Sequence, residues 1–196
     1  MSVRWNIPII SPLTFAAWKI DARRKLSWIE DWLSIEDNII DIGSGPGSLL
    51  QVLGTRGFKA VGLDIKDNSY RPELRPYLYG GKDMPFGAKS YDAALLATVL
   101  HHTPDPDAIL KEAARIASRV IIIEDVYEGR VMDWLTKRMD SLMNLEFFGH
   151  PHSNRTDAQW RERFAAMGLT LRHASIYRVG GIFKQAVYVL EVNSPA

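Results

Sequence analysis

Cysteine is absent from the 196 residues, which excludes disulfides, thiolate metal centres and a cysteine nucleophile together. No apolar run approaches the roughly 20 residues that cross a bilayer as a helix. Met1 to Ile10 lacks the charged-then-apolar layout of a secretory leader. An excess of one charge is missing too: 24 Lys and Arg face 23 Asp and Glu, a formal +1. The bulk balance therefore calls for neither nucleic acid nor an anionic membrane. No repeat, low-complexity tract or linker interrupts the chain. With 46% hydrophobic and 24% charged residues, the composition is that of a soluble globular chain long enough to bury a sizeable core. The lack of cysteine suits a reducing cytoplasm, the expected location.

Apolar runs alternate with helical patterns as far as residue 125. Trp5, Phe15, Trp18, Leu26, Trp28, Ile29, Trp32 and Leu33 recur at roughly helical spacing, predicting one or two helices between about Pro12 and Ser34. Arg23, Arg24 and Lys25 are expected on its exposed side. Asn38 to Ile42, Phe58 to Leu63, Tyr91 to Ala97 and Val120 to Asp125 read as buried strands, with Tyr77 to Tyr79 a brief one between them. Helices are expected from about Gly47 to Thr55 and from Pro106 to about Ala117, the second capped by Asp105. Such alternation implies right-handed βαβ units and a parallel sheet. Val131 to Leu145 and Thr156 to Met167 read as further helices. Leu169 to Tyr177 and Phe183 to Val192 read as an antiparallel pair across a Gly180-Gly181 turn.

Residues 39 to 47 read Ile-Ile-Asp-Ile-Gly-Ser-Gly-Pro-Gly. A glycine loop between a strand and a helix lets a ligand approach backbone where side chains would collide. The glycines stand at 43, 45 and 47, which is not the GxGxxG spacing of dinucleotide enzymes. Asp41, inside the strand end, would repel a pyrophosphate and attract a ligand carrying an ammonium and a sulfonium. Asp64 closes the second strand, where a carboxylate can take two ribose hydroxyls.

Asp41 to Gly47, Gly62-Leu63-Asp64, Met84-Pro85-Phe86 followed by Tyr91-Asp92, and Leu100-His101-His102 together resemble class I S-adenosylmethionine-dependent methyltransferases. The nearest group is the large one that includes ubiquinone and menaquinone methyltransferases. The resemblance covers residues 38 to 125 and extends loosely to the C-terminal strand pair. It implies a Rossmann-like α/β fold: a seven-stranded, mostly parallel sheet flanked by helices, an antiparallel C-terminal pair and an N-terminal helical segment. One methyltransferase domain would span 1–196, with a helical cap over 1–36 and a cofactor-binding core over 37–125. A helical insertion or acceptor lid would occupy 126–167 and the antiparallel strands 168–192. The implied cofactor is S-adenosylmethionine. Gly43, Ser44, Gly45 and Gly47 would line its methionine moiety, Asp41 would assist its amino group, and Asp64 would hold the ribose with Ile65 against the adenine. Ala97 and Thr98 would face the methionine end. Many relatives place an aspartate where this chain has Gly80, so Asp83 or the backbone near Met84 would take over the adenine contact.

In-line methyl transfer draws much of its rate from positioning, and a hydroxyl acceptor also needs a base. His101 and His102 follow the fourth strand, while Glu124 and Asp125 end the fifth, so all four belong to the carboxyl edge where open α/β sheets bind ligands. His101, His102 and Asp125 are the expected catalytic residues, with either histidine as base and Asp125 steadying it. Met132, Trp134, Leu135, Met139, Leu142, Met143, Phe147 and Phe148 either roof an apolar acceptor pocket or pack an inserted helix. His150-Pro151-His152 lacks the further ligands of a metal site, and no metal is expected. The acceptor is expected to be a small molecule. A nucleic-acid substrate is disfavoured by the missing Asn-Pro-Pro-Tyr-type motif, cysteine and basic appendage.

Overall fold

The computed structural model describes residues 10–127, 155–180 and 183–193. Helix α1 spans Ile10–Ile29 and ends in a 3-10 turn at Glu30–Trp32. Then come β1 (Asn38–Ile42), α2 (Ser48–Thr55), β2 (Lys59–Asp64), β3 (Tyr77–Leu78), β4 (Tyr91–Ala97), α3 (Pro106–Ile116), β5 (Ala117–Val126), α4 (Asp157–Ala166), β6 (Leu169–Val179) and β7 (Phe183–Val192). The expected strands all form. Lys66 to Arg75 holds only a 3-10 turn at Pro72–Leu74. The expected helix over Val131 to Leu145 lies outside the described residues.

Local chemistry explains the helix starts. At α3 the Asp105 carboxylate accepts from Ala108 N–H while Pro106 occupies the first turn, where a missing N–H costs nothing. At α4, Thr156 and Gln159 form a reciprocal capping box, satisfying two otherwise unpaired N–H groups.

The seven strands make one sheet in the order β3-β2-β1-β4-β5-β7-β6. Strands β1 to β5 run parallel, whereas β7 is antiparallel to both β5 and β6. Alternate strand residues point to opposite faces, so the core has two halves. Ile40, Ala94, Leu96, Ile122 and Tyr188 pack with Leu110, Trp160 and Phe164 on one face. Ile39, Leu95, Ile121, Ile123 and Val187 pack with Ala22, Leu26, Ile29 and Leu53 on the other. By the same alternation Asp41 and Asp125 continue the rows toward α1, and Glu124 continues the row toward α3 and α4.

One sequence expectation fails here. Lys25 is buried, 8% exposed, because it stands three residues after Ala22 and four before Ile29 on the packed stripe of α1.

Candidate active site

The loop after β1 is held down by Gly43 N–H, which donates to Leu63 O at 2.7 Å. Gly43 has φ 73° and Gly45 φ 51°, a left-handed backbone that costs a side-chain-bearing residue roughly 1 kcal/mol or more. The two differ in their surroundings. A Cβ on Gly43 would lie 2.4 Å from Val99 Cγ2, whereas one on Gly45 would meet nothing within 4 Å. Gly43 is thus small for packing, and Gly45 keeps bare backbone against open space. Ser44 settles onto β2 because Gly62 has no side chain there; a Cβ at 62 would sit 2.7 Å from Ser44 Oγ.

Asp41 is 2% exposed, and its carboxyl is pushed up from 3.8 to about 7. Burial is the main cause, the nearby Asp64 charge adds to it, and Lys25 opposes both. Among the described residues no hydrogen bond offsets that burial. A cation brought beside Asp41 would restore its charge. Asp64 accepts from Gly45 N–H at 2.8 Å through Oδ2 and from Lys66 N–H at 3.2 Å through Oδ1. The loop backbone thereby holds the β2 carboxylate at the carboxyl edge, with acceptor capacity to spare on both oxygens.

Next along the edge, Ile65 is 57% exposed, and its Cγ2 lies 3.4 Å from where a Cβ on Gly81 would be. Met84 is buried, its N–H bonded to Glu112 at 2.8 Å and its carbonyl to Arg115 at 3.0 Å. Helix α3 therefore fixes the 84–86 backbone, while Asp83 is exposed. A Cβ on Gly80 would meet nothing within 4 Å. Tyr79, which sequence reasoning passed over, donates its N–H to Asp64 O at 3.2 Å. Its phenol is pushed up by burial first, then by Asp64 and Glu112.

Lys25, expected on the exposed side of the helix, is the other residue whose place in the site the sequence did not reveal. Its ammonium donates to Thr98 Oγ1 at 3.0 Å and pairs with Asp21 at 3.0 Å. It also lowers both Asp41 and Asp125 electrostatically, so one cation from α1 serves the ends of β1, β4 and β5. Thr98, just past Ala97, adopts φ 57°, an unusual conformation for a branched residue. Its N–H bond to Ile123 O at 2.7 Å and the Lys25 contact hold it there.

His101 lies in a 3-10 turn, Leu100–His102, and is 2% exposed. The carboxylate on it is Glu124, where the sequence pointed to Asp125. Glu124 Oε2 sits 2.6 Å from His101 Nδ1, and its Oε1 accepts from Val99 N–H at 2.8 Å and Leu100 N–H at 2.6 Å. Strand alternation is the reason: neighbouring residues cannot share a face, and the 3-10 turn lies on the Glu124 side. Asp125 instead accepts from Gln185 Nε2 at 3.0 Å, its register partner on β7. Burial raises the Asp125 carboxyl; His101, the Gln185 bond and Lys25 lower it. The His101 and His102 rings lie 4.0 Å apart. Among the described residues no group of three His, Asp or Glu side chains could hold a metal ion, and no helix is long and apolar enough to cross a membrane. His150, His152 and the apolar stretch from Met132 to Phe148 lie outside the described residues.

Residues 14–174 match a family described as Methyltransferase domain. A ubiquinone biosynthesis O-methyltransferase from Nitrosomonas europaea is 24% identical over 105 residues, 47% of this chain and 45% of that one. The match thus spans about half the length of that relative. Among solved structures, an S-adenosylmethionine-dependent methyltransferase from Methanosarcina mazei superposes with a TM-score of 0.67 at 16% identity, covering 83% of this chain and 95% of that one. Magnesium protoporphyrin IX methyltransferase from Synechocystis, solved with S-adenosylhomocysteine, gives 0.63 at 16% identity, covering 97% and 90%. Both share the fold.

Proposed function

Since the chain belongs to the Methyltransferase domain family, we propose that it transfers the methyl group of S-adenosylmethionine to a small-molecule acceptor. Bound there, S-adenosylmethionine supplies an electrophilic methyl carbon and a sulfonium leaving group. The observation that carries the reading is the buried Asp41, pushed up to about 7 beside the open backbone of Gly45. An amino-acid ammonium fits that position and a pyrophosphate does not, since a buried carboxylate repels added negative charge. Asp64 takes the ribose hydroxyls, Ile65 and the backbone at Gly81 and Met84 border the adenine, and Ala97 and Thr98 face the methionine end. Gly43, Ser44 and Gly47 shape the loop. The exposed Asp83 is the remaining polar candidate near the adenine.

In this reading the acceptor lies over the ends of β4 and β5, reached by His101, His102 and Asp125. A histidine there serves a hydroxyl acceptor, whose proton must leave as the oxygen becomes bonded to carbon. The relatives, a ubiquinone biosynthesis O-methyltransferase and a magnesium protoporphyrin IX methyltransferase, favour a small molecule. The near-zero net charge argues against a nucleic acid. A cytoplasmic setting and a single domain belong to the same proposal, and in it α4, whose Trp160 and Phe164 pack in the core, is a helix of the fold and not part of a lid. Calorimetry tests the cofactor assignment: S-adenosylhomocysteine should bind and NAD should not, and tighter NAD binding would overturn it. Screening hydroxylated aromatic and isoprenoid acceptors for S-adenosylhomocysteine release then identifies the acceptor class.

A further inference from the structure

We infer that the outward face of α1 docks on an anionic lipid surface, so that the protein rests on a membrane without crossing it. Leu13 to Ile20 read Leu-Thr-Phe-Ala-Ala-Trp-Lys-Ile, with apolar residues on both sides of the helix, yet only one side is buried. Phe15 packs with Leu50 and Leu74, and Ala22, Leu26 and Ile29 continue that inward row. Leu13 and Ile20, 69% and 66% exposed, are the two most exposed large apolar side chains among the described residues. They stand two turns apart on one face, and the exposed Ala16 and Ala17 lie between them at the positions that share that face. On a helix facing only water this stripe would be polar.

Charge selects what covers it. Helix α1 carries Lys19, Arg23, Arg24 and Lys25 against a single acid, Asp21, which is already engaged by Arg24 and Lys25. Lys25 is turned inward. Arg23 and Arg24 follow Ile20 by three and four positions, so the apolar stripe runs directly into them. Arg23 is exposed and pairs with no acid among the described residues. The whole-chain charge of +1 conceals this local excess. Apolar side chains that lead into unneutralised guanidinium groups match the boundary of an anionic bilayer, where the first enter the acyl region and the second stay at the phosphates. A second copy of the chain fits less well. Four side chains, two of them alanine, fall far short of the roughly 800 Å² that each partner of a stable complex buries.

Vesicle flotation of the full chain tests this. The protein should float with vesicles of phosphatidylcholine mixed with phosphatidylglycerol. Partition should be weaker on phosphatidylcholine alone, by about fivefold for each arginine that reaches the surface, and added salt should release the protein. Ile20→Asp should abolish flotation, and Arg23→Glu should weaken it on the mixed vesicles only. Both positions face outward, so melting curves and S-adenosylhomocysteine affinity should match wild type in both variants. No flotation with the mixed vesicles overturns the inference. So does equal binding to both kinds of vesicle, or flotation that neither variant changes. Light scattering that shows a dimer, dissociated by Ile20→Asp, assigns the stripe to a second copy and overturns it as well. If the wild type floats yet does not bind S-adenosylhomocysteine, the methyltransferase reading falls and the lipid contact stands.

Discussion

Asp41→Asn removes one buried charge and leaves almost the same shape behind. In the folded chain the Asp41 carboxyl is pushed from 3.8 to about 7. Each pH unit of that rise is worth about 1.4 kcal/mol, so ionised Asp41 costs the ligand-free fold about 4 kcal/mol well above pH 7. Between 3.8 and about 7 the folded state holds a proton that the unfolded chain has lost. Wild-type stability from this group therefore declines as pH rises through that window and is level above it. Asparagine carries no such dependence, and any fixed penalty for its amide is the same at every pH. From pH 5 to pH 8 the stability of Asp41→Asn relative to wild type should grow by roughly 2–3 kcal/mol. In a chain of this size that is a relative Tm gain of about 5–10 °C. Thermal melts at pH 5, 6, 7 and 8 measure it, and parallel curves would refute the reasoning. The same group gives a second readout. Because an ammonium draws Asp41 into its charged form, wild-type affinity for S-adenosylhomocysteine should rise with pH and level off above about 7, while the variant binds more weakly with little slope.

Asp64→Ala should weaken S-adenosylhomocysteine binding by about 1–3 kcal/mol through lost charge-assisted bonds, measured by calorimetry, with the fold retained by circular dichroism; unchanged affinity would remove Asp64 from the site. Gly45→Ala should lower stability by only about 1 kcal/mol, since nothing crowds its Cβ, yet reduce binding at least tenfold. Gly43→Ala should be the more destabilised of the two in denaturant melts, because its Cβ would overlap Val99; the reverse ranking would contradict the loop geometry. Lys25→Met removes the cation that lowers Asp41, so the pH at which S-adenosylhomocysteine affinity levels off should move upward, and a fixed midpoint would separate Lys25 from the site.

Strand ends and the glycine loop were legible because their signals are local. β1 and β4 have the bounds read from their apolar runs, the cap of α3 follows from Asp105, and of the two cap candidates for α4, Thr156 and Asp157, it is Thr156 that caps, with Gln159. Lys25 was misread because three adjacent basic residues suggest a solvated face, whereas helical phase sends one of them inward with Ala22 and Ile29. The choice between Glu124 and Asp125 was decidable by counting alternation from Ile122, but only once the turn carrying His101 is known to lie on that face. Thr98 gave no sign of its left-handed backbone, which tertiary bonds to Ile123 and Lys25 impose. That β6 and β7 form a hairpin was readable from their apolar pattern. That β7 and not β6 pairs with β5 is a nonlocal outcome without a short-range signature.

The position of β7 bears on how the polypeptide acquires its shape during synthesis. It is made after β5 and β6 yet pairs with both, from Val126↔Lys184 to Arg119↔Glu191 on one side and along all of β6 on the other. Until it emerges, the nascent chain carries β5 as an open edge whose Val120 to Ile123 row is among the most apolar in the protein. Exposed edges of that kind recruit other strands and aggregate. Messages truncated within the last hairpin should therefore yield insoluble product rather than a weakened methyltransferase, even though every proposed cofactor contact lies upstream of residue 100.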